Sequence, residues 1–90
     1  MAYEDHDMYH QIREKVEGVA RGDVTPDHLT GSTTVRLACG LILGALEHTN
    51  PTLNEKDAWE MIDSVQTAAV RNLKPHYYHA HLRAPRAGRW

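Results

Sequence analysis

Residues 37–46 read LACGLILGAL, ten positions without a charged side chain. At helical spacing Val35, Ala38, Cys39, Leu41, Ile42, Ala45 and Leu46 share one face, and Leu37 and Leu43 widen it on either side. The apolar arc then covers about 240° of the circumference, against the ~100° stripe of an ordinary surface helix. Such a helix must be buried on most sides. Ten residues rise only about 15 Å as a helix, half the hydrocarbon core of a bilayer. The run therefore predicts a protein core and no membrane contact.

Two further helices offer faces to cover it. In residues 4–21, Met8, Ile12, Val16 and Val19 recur at spacings of four, four and three and form one stripe. Acids cluster in its first turn and Arg21 stands in its last, as the helix dipole prefers. Thr25-Pro26-Asp27 is a helix start, but Gly31 follows so soon that a single turn over 26–30 is expected. Ser32 can cap the central helix, expected over 33–49 and ended by Asn50-Pro51. Asn54 can cap a third helix over 54–73, with Ala58, Ile62, Val65, Ala69 and Leu73 inward and Trp59 and Val70 flanking. Pro75 is expected to stop it. No segment alternates apolar and polar residues as a half-buried strand does.

The expected fold is all-α: a three-helix bundle over residues 1–75 with a short extra turn, then an irregular basic C-terminal arm over 76–90, HYYHAHLRAPRAGRW. Ninety residues allow one small domain. The absence of phenylalanine leaves its core to aliphatic side chains, helped by Trp59. The single cysteine, Cys39, excludes an intrachain disulfide and falls in the apolar run, which suits a buried, inert thiol in a reducing compartment. The N-terminal MAYEDHDMYH is acidic and lacks the apolar stretch of a secretion signal, so a cytoplasmic protein is expected.

Two stripes cover about two-thirds of the central helix. Its remaining side carries Leu37, Gly40 and Gly44, with Leu41 of the main face joining them in the expected contact, and glycines four apart let a second backbone approach closely. Each costs about 1 kcal/mol of helix stability relative to alanine, which argues for a packing reason. That face is the expected site of self-association in a homodimer. The alternative is that the 26–30 turn and Tyr77-Tyr78 cover the same surface within one chain.

Charge divides sharply along the chain. Residues 1–70 hold five basic and twelve acidic side chains, a net −7, whereas Arg71, Lys74, Arg83, Arg86 and Arg89 face no acid in residues 71–90. With Tyr77, Tyr78 and Trp90 interleaved, these residues form the candidate contact for another protein with an acidic surface. The alternative is a contact for nucleic acid, since cations track phosphates while aromatic rings stack on bases.

Three histidines, His76, His79 and His81, make a His-rich tract of the kind that binds metal, but no cysteine or carboxylate stands beside them in sequence. His6 and His10, four apart, could share a helix face, and Asp7 with His10 resembles half of a di-iron bundle motif without the inward carboxylates that such a site needs. No cofactor is expected. Ser32–Arg36, STTVR, resembles the start of a recognition helix in helix-turn-helix regulators, yet the apolar residues after Arg36 suit a core helix better. No G-x-S-x-G and no phosphate-cradling glycine loop occurs, and the chain is read as a non-catalytic interaction protein, an adaptor, inhibitor or regulatory subunit of a size that suits a phage or mobile element.

Overall fold

A computed structural model describes the backbone of residues 2–83 and the side chains of residues 7–83. The described residues are all-α, with no strand. Helix α1 spans Ala2–Arg21, a 3-10 turn Pro26–His28, α2 Thr33–Leu43, α3 Leu46–Thr49, α4 Glu55–Met61, α5 Ser64–Tyr77 and α6 Ala80–Arg83. The three longest, α1, α2 and α5, pack against one another, and the short elements close around them.

The stripes read from the sequence meet in one core. Ile12, Val16 and Val19 of α1 and Ala69, Val70 and Leu73 of α5 are buried, as are all residues of α2 from Leu37 to Leu43. Ser32 caps α2 by accepting the Val35 N–H, and Asn54 caps α4 by accepting the Asp57 N–H at 2.8 Å.

Three expected boundaries give way, each for a local reason. The central helix does not reach Thr49. It ends at Gly44, whose left-handed backbone (φ 67°) turns the chain, while the Ala45 N–H reaches back to the Gly40 carbonyl at 2.9 Å. That six-residue closure is a Schellman turn. It lets α3 fold back against α2, with Thr49 and Leu46 lying on Gly40.

The third helix breaks at Ile62, whose extended backbone (ψ 152°) precedes a new N-terminus at Asp63. Asp63 and Gln66 form a reciprocal capping box: the Gln66 N–H donates to Asp63 Oδ1 at 2.8 Å and the Asp63 N–H to Gln66 Oε1 at 3.1 Å.

Pro75 does not stop α5. It cannot donate to the Arg71 carbonyl, but both residues are exposed, and the Tyr78 N–H closes the helix on the Lys74 carbonyl at 2.9 Å. The boundary expected after residue 75 therefore falls inside a helix, and the first part of the expected irregular arm is ordered as the end of α5 and as α6.

Candidate functional site

The expected self-association face is filled by its own chain. Leu37 is 0% and Leu41 3% exposed, and Gly40 is buried. A Cβ on Gly40 would collide with the Thr49 hydroxyl and stand 3.2 Å from the Leu46 Cα. Gly44 lies beneath the rings of Tyr78 and His79. The close backbone approach that the two glycines imply is real, but the approaching groups are α3 and the turn after α5. The apolar arc exceeds what two helix stripes can cover because four elements, α1, α3, α4 and α5, pack on α2.

The basic candidates divide between two faces. Tyr77 turns inward and packs on the core, whereas Tyr78 is 42% exposed. Arg71 and Lys74 stand on α5 beside Tyr78, and Arg83 is exposed on α6. Arg86, Arg89 and Trp90 lie outside the described residues.

Arg71, Lys74 and Tyr78 share an open groove of about 620 Å³ with Trp59, Val70 and Pro75. Trp59 comes from α4 and the other walls from the last turns of α5 and from Tyr78. Positions 70 and 74, and 71 and 75, are one helical turn apart, so the continuation of α5 through Pro75 is what lines them up. Apolar groups of Trp59, Pro75 and Tyr78 form most of the open surface, with the buried Val70 beneath it, and Arg71 and Lys74 supply the cations.

Each polar group at the rim has a distinct setting. The Trp59 indole N–H donates to Glu55 Oε1 at 3.4 Å, and the same oxygen stands 4.0 Å from Lys74 Nζ. Lys74 Nζ also lies 4.9 Å from the centre of the Tyr78 ring, within cation–π range. The Glu55–Lys74 pair is long and its carboxylate is largely exposed, so it holds Lys74 only weakly. Arg71 is exposed and has no ion-pair partner among the described residues.

Helical spacing puts Trp59 at the edge of the core and Pro75 at a helix stop, and nothing local marks either as a groove wall. Val70, at the flank of the inner face, is fully buried in the core and lies beneath the groove.

The described histidines form no metal-binding cluster. His76 is exposed on α5, while His79 and His81 sit beyond it with ring centres 6.2 Å apart and His48 of α3 6.0 Å from His81. No group of three or more His, Cys, Asp or Glu among the described residues is placed to hold a metal ion. His10 is exposed on α1, and the side chain of His6 lies outside the described ones. Burial pushes the His81 imidazole below its ordinary pKa, and the nearby His48 and His79 push the same way. Cys39 is buried in α2, and loss of solvent raises its thiol to about 12.

Residues 33–36 begin α2, as the resemblance to a recognition helix requires, but α2 is the central core helix, with every residue from Leu37 onward buried. No helix among the described residues is long and apolar enough to cross a membrane. No protein-family model matches the chain, and neither a curated protein nor a solved structure shows a significant match to it.

Proposed function

We propose that this chain is a small non-catalytic interaction protein that works by binding another protein, and that α1, α2 and α5 are the frame of a three-helix bundle holding the contact surface in place. One observation carries the reading. The groove of Trp59, Val70, Arg71, Lys74, Pro75 and Tyr78 is an open apolar surface on rigid helices, with two cations at its edge. Exposed apolar surface rimmed by polar groups is the usual mark of a binding site. Self-association through Gly40 and Gly44 does not enter this reading, because those positions are occupied from within. The buried Cys39 suits a reducing compartment such as the cytoplasm.

Nucleic acid is the second reading, favoured by the company of Arg71, Lys74, Trp59 and Tyr78 in one groove. It is the weaker one. Binding to a polyanion draws most of its affinity from many phosphate contacts, and this groove offers two cations with Glu55 beside one of them.

Affinity capture from the native host tests the two readings together, with and without nuclease. Arg71→Glu serves as the groove variant, since Arg71 lines the groove, is exposed and makes no ion pair among the described residues. A protein retained after nuclease and lost with Arg71→Glu supports the first reading. A protein lost with nuclease, or DNA or RNA binding that weakens steeply with salt, supports the second.

A further inference from the structure

We infer, resting on the protein-binding reading above, that the groove receives an acidic amphipathic segment of its partner: a bulky apolar side chain against Trp59, Pro75 and Tyr78, and neighbouring carboxylates on Arg71 and Lys74. Complementarity of shape and charge carries this. The floor and walls are apolar, so a wholly polar segment would give up its own hydration there without hydrogen bonds in return. The only cations of the lining stand together on the α5 side, one helical turn apart at most.

Both cations are open to a new partner. Arg71 has no described acid to leave, and its planar fork can take a carboxylate through two hydrogen bonds. Lys74 has only the 4.0 Å contact with Glu55, which an incoming carboxylate can displace.

The rest of the molecule sharpens the preference. Residues 1–70 carry a net −7 and residues 71–90 hold five cations and no acid, so an acidic segment finds its cations mainly in that stretch, where Arg71 and Lys74 stand at this groove. A basic segment would meet the opposite field: attraction across the body, and repulsion at Arg71 and Lys74. The charge pattern thus selects for where an acidic partner docks, as well as for whether it docks.

Selection of random displayed peptides against the full chain tests this. Synthetic peptides from the selection are titrated by tryptophan fluorescence in a Trp90→Phe background, which leaves Trp59 as the sole tryptophan. The expected peptides carry Leu, Phe or Met next to Asp or Glu and change the Trp59 emission. The double variant Arg71→Glu/Lys74→Glu, checked for an unchanged circular-dichroism melt, is expected to weaken them roughly tenfold or more and to favour basic peptides instead. Peptides that perturb Trp59 but lack acids, or ignore the charge reversal, overturn the inference and leave the groove as a binding site. If no selected peptide perturbs Trp59, or if the chain fills the groove by self-association on a sedimentation run, the groove reading falls with it.

Discussion

Tyr78 closes over Gly44: a Cβ built on that glycine would stand 2.7 Å from Tyr78 Cε1 and 3.0 Å from His79 Cε1. The His79 N–H donates to the Leu43 carbonyl at 2.8 Å, so the turn after α5 is tied to the end of α2 by backbone as well as by rings. Gly44→Ala meets two costs, a left-handed backbone (φ 67°) that β-carbons disfavour and a clash with the rings above it. The expected loss is about 2–3 kcal/mol, or roughly 10–20 °C in Tm for a domain of this size. Thermal melts with sedimentation check it. Loss of association without loss of stability would return Gly44 to an interface between copies.

The core was legible in the sequence because it depends on period alone. Ile12, Val16 and Val19, and likewise Ala69 and Leu73, recur at three or four and are buried as that spacing requires. The breaks were harder to read. Gly44 has the composition of a helix stop, but it stands inside an unbroken apolar run, and the same residue serves a close helix contact equally well. Asp63-Ser64-Val65-Gln66 is a readable capping box, masked because Ile62, Val65 and Ala69 keep helical spacing across it. The groove was half legible. Charge singled out Arg71 and Lys74. Trp59 joins them only through tertiary packing of α4 beside α5, which no local pattern encodes.

Asp63→Ala separates a broken helix from a continuous one by sign. In a continuous helix alanine is the better former, and the change would be neutral or stabilising by up to about 0.7 kcal/mol. At the start of α5 it removes the acceptor of the Gln66 N–H, and the expected loss is about 1 kcal/mol. Gln66→Ala should cost more, about 1–3 kcal/mol, because Gln66 is 2% exposed and its Nε2 also donates to Thr34 Oγ1 at 2.9 Å. Urea denaturation of both variants measures the difference.

Cys39 should behave as a silent thiol in the native chain. It is 0% exposed, and burial holds its pKa at about 12, so almost no thiolate exists near neutrality. Iodoacetamide at pH 8 is expected to leave the folded protein unmodified and to alkylate it once per chain in denaturant, read by intact mass. Rapid labelling of the native state would mean that α2 opens far more readily than its burial allows.

Acid should loosen the C-terminal turn through His81. Its imidazole sits beside His48 and His79, and Nδ1 is buried with no partner among the described protein atoms; Glu47 and the Leu43 backbone act the other way but do not cancel the lowering. Burial acts first and the two histidines second, and both lower the pKa from 6.5 in the folded chain. The unfolded chain therefore binds the proton more readily, and stability rises with pH across the interval between the two values. The contribution is complete above 6.5 and is lost as the pH falls through that value toward the lowered one. Melting temperature should thus decline from pH 7.5 to pH 5.5, and His81→Asn should flatten the decline. Because His79 and Tyr78 rest on Gly44, the same acidification should raise hydrogen exchange at Tyr78 and His79 before it reaches α1. A melt independent of pH across this range, or one unaffected by His81→Asn, would show that His81 is as well accommodated charged as neutral.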